Sequence, residues 1–112
     1  MFQKKNKIMG VDYRADAGIG FKIKIPTFQK ENDDFYFDEY LDNLLNFDKF
    51  RYFQDGEGAY TGDENDYFIV IKDLFPLENL LEKINELKEF LLKEDLIEIN
   101  QNIDLQIGLE VW

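Results

Sequence analysis

The sequence predicts an α+β fold in which two helices pack on one face of a mostly antiparallel sheet of four to five strands. Apolar residues alternate with polar ones in several short segments, as half-buried strands require, and two longer segments have the spacing of amphipathic helices. Strand and helix segments follow one another in a mixed order, which is typical of this class. A length of 112 residues suits a single domain covering 1–112.

The first extended segment covers residues 8–25. Residues 14–18 form either the turn of a hairpin or a kink in one long strand, with Gly18 or Gly20 at a bulge. Pro26 ends the segment because it cannot donate to a strand ladder. The alternating apolar residues of this segment are Met9, Val11, Tyr13, Ile19, Phe21, Ile23 and Ile25.

Residues 34–46 have helical spacing. Asp33 or Asp34 is the predicted N-cap, and the acidic residues that follow lie where the helix dipole favours negative charge. The apolar stripe that predicts this helix consists of Phe37, Tyr40, Leu41, Leu44 and Leu45.

Two further strands are predicted over residues 49–54 and 67–72, joined by a polar, glycine-containing loop over 55–66. The second strand is apolar almost without interruption. A strand that is apolar on both faces is covered on both sides, so we expect it at a central position in the sheet.

A second helix begins near Pro76, a residue that suits the first turn, and a C-terminal strand follows over 103–111. The helix has an apolar stripe formed by Leu77, Leu80, Leu81, Ile84, Leu87 and Leu91. The strand alternates strictly, which predicts one buried face formed by Ile103, Leu105, Ile107, Leu109 and Val111.

The charge is concentrated in the middle of the chain. Residues 31–66 hold twelve acidic and two basic side chains, a local net charge of −10 in a chain of net charge −11. The same segment contains nine aromatic residues. An acidic surface with interspersed rings suits a basic protein partner.

Several residue types that carry chemistry are missing. The chain contains no histidine, cysteine or serine, which removes the commonest general base and the usual nucleophiles. We therefore expect a protein that is not an enzyme and needs no cofactor. No apolar run approaches the roughly 20 residues that span a bilayer, so we expect a cytoplasmic protein.

Three weaker site patterns are disfavoured by their spacing. In the 55–66 loop, an EF-hand count from Asp55 places Ala59 at the fifth position, and a count from Asp63 places Tyr67 there. The glycines of Gly18-Ile19-Gly20 lack the third glycine and the helix of a phosphate loop. Acidic residues are so numerous that no glycosidase-like pair stands out.

The acidic segment is therefore the predicted partner-binding surface. The outward acids of the first helix and those of the 55–66 loop would resemble the phosphates of a nucleic acid, and exposed rings would add contact area. The predicted binding residues are Asp33, Asp34, Tyr36, Asp38, Glu39, Asp42, Asp55, Glu57, Tyr60, Asp63, Glu64 and Asp66.

Residues 9–13, Met-Gly-Val-Asp-Tyr, and 17–21, Ala-Gly-Ile-Gly-Phe, resemble the start of small phage proteins. In size, acidity and lack of catalytic residues the chain is similar to anti-CRISPR and other anti-defence proteins, several of which mimic nucleic acid. This resemblance implies an inhibitor that occupies the basic groove of a nucleic-acid-binding protein, such as a CRISPR effector, in the host cytoplasm.

Two alternatives belong to other functional classes. The first is a structural or homo-oligomeric module that uses its sheet edge and Trp112, without inhibitory activity. A calcium-binding or carboxylate-based hydrolase domain would instead require acidic side chains to converge in a pocket.

Overall fold

The computed structural model describes residues 13–25, 36–57 and 65–111. It confirms the α+β class, with four antiparallel strands and two helices. The elements are β1 (Tyr13–Ile23), α1 (Phe37–Leu44), β2 (Phe50–Asp55), β3 (Asp66–Ile71), a 3₁₀ turn (Leu77–Asn79), α2 (Leu80–Lys93) and β4 (Asp104–Val111).

The sheet has the strand order β2-β3-β1-β4, so β3 is a central strand as predicted. β1 is one continuous strand, and the hairpin alternative for residues 14–18 is wrong. Its first part pairs with β4, from Tyr13 opposite Val111 to Gly20 opposite Asp104. Its last part pairs with β3 in an uninterrupted register, so no bulge is needed at the glycines.

The two outer strands of the sheet also meet each other. The Gly56 N–H donates to the Leu109 carbonyl at 2.9 Å, and the Val111 N–H donates to the Gly56 carbonyl at 2.9 Å. Gly56 has a φ of +133°, which an L side chain rarely adopts. The sheet therefore curls until the end of β2 touches the end of β4, giving it a concave and a convex side.

The main core lies on the convex side, between the sheet and the two helices. Three of the five predicted stripe residues are buried, Phe37 and Leu41 in α1 and Leu45 directly after it, which confirms the predicted helix face. The core is completed by buried residues from β1, β2, β3, α2 and the segment after α2: Phe21, Ile23, Phe50, Ile69, Ile71, Leu87, Leu91, Leu96 and Ile97.

Both helix starts differ from the prediction. α1 begins at Phe37, and the preceding residue, Tyr36, caps it without a side-chain hydrogen bond, so Asp33 or Asp34 is not the N-cap. The first buried stripe residue, Phe37, starts the helix. In the second helix, Leu77 belongs to the 3₁₀ turn and Leu81 is 70% exposed, because the core-facing stripe runs through Leu87 and Leu91.

A second, smaller core lies on the concave side. Phe53, Phe68 and Val70 are buried there, facing the first half of β1 and β4. These side chains approach β1 and β4 closely because the residues opposite them are glycines. A Cβ on Gly18 would lie 2.7 Å from Val70 Cγ2, and one on Gly108 would lie 2.9 Å from the Phe53 ring.

The prediction that the C-terminal strand has a buried apolar face is wrong. Leu105, Ile107 and Leu109 are 54%, 69% and 48% exposed. The helices cover β2, β3 and the second half of β1, whereas β4 pairs with the first half of β1. The alternation of β4 is real, but its apolar side chains point away from both cores.

Gly20→Ala is expected to destabilise the protein much more than Gly18→Ala. A Cβ on Gly20 would overlap the Ile69 carbonyl oxygen and lie 2.6 Å from Val70 Cα, both backbone atoms that cannot rotate away. The Cβ of Gly18→Ala meets only a side chain. We expect losses of about 3 and about 1 kcal/mol in urea unfolding, and equal losses would contradict this packing.

Candidate partner-binding surface

The outward face of α1 is acidic, and its inward face packs into the core. Phe37 and Leu41 are buried, and the intervening positions Asp38, Glu39 and Asp42 are exposed. Asp38 and Asp42 lie four residues apart, so they share one face of the helix, where like charges repel by a few tenths of a kcal/mol. The helix keeps this arrangement although it costs stability.

Tyr52 of β2 joins the sheet to this acidic face. Its hydroxyl donates to Asp42 Oδ1 at 2.8 Å and lies 3.4 Å from the Asp38 carbonyl oxygen. Burial, followed by the hydrogen bond to Asp42 and its negative charge, raises the pKa of the Tyr52 phenol. The hydroxyl therefore stays protonated and holds the Asp42 carboxylate in place.

The three acids of α1 have no neutralising cation among the residues that the structure describes. Among the described residues, Asp38, Glu39 and Asp42 form no ion pair. Asp38 Oδ1 accepts from the Glu39 N–H and Asp42 Oδ1 from the Tyr52 hydroxyl, and the Asn43 amide donates to the Glu39 carbonyl. The ion pairs found between described residues lie elsewhere: Lys22–Asp66, Lys24–Asp95, Lys24–Glu98, Lys49–Glu86 and Arg51–Asp16.

Two of the predicted acids in the strand ends make contacts within the chain. Asp55 Oδ1 accepts a hydrogen bond from the Leu109 N–H at 2.7 Å, so this carboxylate stabilises the junction of β2 and β4. Asp66 lies opposite Asp55 in the ladder and pairs with Lys22 at 3.5 Å. The neighbouring acid Glu57 is exposed.

Five predicted binding residues lie outside the described part of the chain: Asp33, Asp34, Tyr60, Asp63 and Glu64. The flanking residues still show how the predicted patches are related. The Phe37 ring at the start of α1 meets the Tyr67 ring edge-on at 4.9 Å between centroids. Tyr67 follows Asp66, so the start of α1 and the acidic strand ends lie at the same end of the molecule.

Several rings of the acidic segment contact other rings of the chain. Tyr52 lies between Phe47 and Tyr67, with centroid distances of 6.2 and 6.3 Å. Tyr36 is 67% exposed, as a contact residue should be, and Phe47 is 41% exposed. Phe47 was not among the predicted residues. Its position just beyond the predicted end of the helix at residue 46 is the sequence signal that separates it from the core stripe.

A cleft of about 410 Å³ is lined in part by Phe47 and Tyr52. Its positive charge comes from Arg14 and Arg51, two residues that the sequence prediction missed. Arg51 donates to Asp16 Oδ1 at 2.9 Å and to the Ala17 carbonyl at 2.6 Å. Its guanidinium is thus largely engaged in holding β1 against β2.

Metal binding and membrane insertion find no support in the described part of the chain. No group of three acidic side chains there is arranged to hold a metal ion. None of the helices described is both long and apolar enough to cross a membrane.

Comparisons of this chain with family models, with curated proteins and with solved structures find no match. The candidate surface therefore rests on the geometry of α1 and its neighbours alone.

Tyr52→Phe is expected to lower the free energy of unfolding by about 1 kcal/mol near neutral pH, because one hydrogen bond to Asp42 is lost. The raised pKa of Tyr52 adds a pH dependence. Since the folded state holds the phenolic proton more tightly than the unfolded state, its contribution is fully present below about pH 10 and is lost as the pH rises further.

Urea unfolding between neutral pH and the alkaline range checks this expectation. The variant should show a smaller alkaline loss of stability than the wild-type protein. An unchanged alkaline profile would mean that folding does not raise the pKa of Tyr52.

Proposed function

We propose that this chain is a small acidic inhibitor of phage origin that binds the basic nucleic-acid-binding groove of another protein, such as a CRISPR effector. The observation that supports this proposal is the acidic face of α1. Asp38, Glu39 and Asp42 are exposed there without an ion pair among the described residues.

The spacing of these carboxylates fits a groove that binds phosphates. Side chains four apart on a helix have Cβ atoms about 5–6 Å apart, so Asp38 and Asp42 form a short row of negative charge. Proteins that bind nucleic acids contact the closely spaced phosphates with Lys and Arg. The same Lys and Arg side chains would bind the α1 carboxylates.

Two exposed rings lie next to the acidic face, and they favour a specific contact with a partner protein. Tyr36 immediately precedes α1 and Phe47 follows it. Aromatic side chains are enriched in the centre of protein interfaces, where they exclude water around polar contacts. The net charge of −11 would in addition speed the encounter with a basic partner.

Removing the charge of α1 tests the proposal directly. The triple variant Asp38→Asn, Glu39→Gln, Asp42→Asn keeps the side-chain shapes and leaves an oxygen to accept the Tyr52 hydrogen bond. At about 0.5–1 kcal/mol for each charge, affinity for a partner captured from host lysate should fall at least about tenfold, measured by calorimetry.

A matched control variant distinguishes the effect of the acidic face of α1 from the effect of the net charge. Glu78→Gln, Glu82→Gln, Glu89→Gln removes three charges from exposed positions on the 3₁₀ turn and α2. This variant should bind the partner almost as tightly as the wild-type protein. If both triple variants lose the same affinity, the acidic face of α1 is not the binding surface.

Inhibition should be competitive with nucleic acid. Fluorescence anisotropy of a labelled duplex bound to the captured partner should fall as this protein is added, and more duplex should restore it. The interaction should weaken by about tenfold from about 0.1 M to about 1 M salt, because screening shortens the Debye length from about 10 to about 3 Å. A partner that binds this protein and the duplex together would overturn the proposed mode of inhibition.

A further inference from the structure

The outer face of the β1–β4 ribbon carries an uncharged row of cross-strand pairs. We call these four pairs the apolar ladder: Tyr13–Val111, Ala15–Leu109, Ala17–Ile107 and Ile19–Leu105. None of its eight positions bears a charge, although 33% of the residues in this chain are charged. Ile107, at its centre, is 69% exposed.

In a two-layered sheet the apolar side chains usually face the core and the charged ones face solvent, and in the β1–β4 ribbon this arrangement is reversed. The opposite face of the same two strands is directed to the concave side, yet it carries charged residues such as Arg14, Asp16 and Glu110. Single exposed leucines are common on protein surfaces, but here Leu105, Ile107 and Leu109 are exposed along one face of the same strand. A sheet face of this composition is stabilised when another surface covers it.

The covering surface contacts the face of β4, since the edge of β4 is largely blocked. The outward N–H groups of Leu109 and Val111 donate to Asp55 and Gly56, and the Leu105 N–H donates to Asp104 Oδ1 at 2.7 Å. Strand addition needs a row of free backbone groups. Side-chain packing on the apolar ladder needs no free backbone groups.

We infer that the apolar ladder binds a second copy of this chain in a two-fold symmetric dimer. Its surface is self-complementary, because a ridge formed by Leu105, Ile107 and Leu109 runs beside a shallow trough formed by Ala15 and Ala17. A two-fold axis places the ridge of one copy in the trough of the other. A basic partner, by contrast, would find no carboxylate on this face.

The charge distribution favours the same occupant. The apolar ladder lies on β1 and β4 and bears no charge, whereas the exposed acids Asp38, Glu39 and Asp42 lie on α1, an element outside the ladder. Two copies can therefore meet through their uncharged faces while their acidic faces stay apart. Both acidic faces remain free in the dimer.

The size of the apolar ladder predicts a weak, reversible dimer. Two strands of eight residues cover roughly 26 by 10 Å, well below the roughly 800 Å² per partner of a standard stable interface. We expect a dissociation constant on the order of 10–100 µM. The dimer does not depend on the inhibitory function proposed above.

Sedimentation equilibrium of the full chain tests the inference, with concentrations extending to about tenfold above the expected dissociation constant. Wild-type protein should dimerise, and more tightly in about 1 M than in about 0.1 M salt, because salt screens the repulsion of two acidic chains. This salt dependence is opposite to that expected for binding a basic partner, so the two proposals fail independently.

Ile107→Glu should weaken the dimer at least about tenfold, because a charge is buried without a partner. Ile99→Glu is the matched control, with the same charge change at a position 79% exposed outside β4, and it should dimerise like wild type. Both substituted side chains are exposed, so circular dichroism should show folded protein for each.

Three results would overturn the inference. Wild-type protein that stays monomeric in both salts would leave the apolar ladder to another protein or to residues 1–12. A dimer that resists Ile107→Glu would lie on another surface. Equal weakening of the dimer by Ile107→Glu and Ile99→Glu would show that the added charge weakens it wherever it lies.

Discussion

The junction of β2 and β4 at Gly56 is the contact on which the rest of the architecture depends. Two backbone hydrogen bonds and the Asp55 carboxylate tie the outer strands together, and a residue without a side chain is needed there because φ is +133°. This junction curls the sheet around Phe53, Phe68 and Val70. It also explains the glycines in β1 and β4, since only a hydrogen atom fits between the facing layers.

Curling the sheet divides its convex side into two surfaces with different properties. The part formed by β2, β3 and the second half of β1 is covered by helices, and the acids that α1 cannot bury become its outer surface. The part formed by β4 and the first half of β1 lies beyond the helices and keeps its apolar side chains exposed. The exposed acids thereby lie on α1, and the exposed apolar side chains lie on β4.

The acidic residues illustrate why charge density does not define a binding surface by itself. Asp38 and Asp55 belong to the same acidic segment of the sequence. Asp38 points outward from α1, whereas Asp55 accepts a hydrogen bond from Leu109 and supports the fold. A carboxylate is available to a partner where it is exposed and forms no ion pair within the fold, and that depends on residues far away in the chain.

The sequence by itself determined the features that local periodicity encodes. The stripe of α1, the central position of β3 and the α+β class follow from spacing along short segments, since burial of one helix face or of both strand faces leaves a direct pattern. Only the tertiary structure decided which surfaces are covered. The alternation of β4 is the same whether Ile107 points into a core or into solvent, because the covering helices come from distant segments. For the same reason, the sequence predicted that α1 is acidic outside, but not that Asp55 closes the sheet.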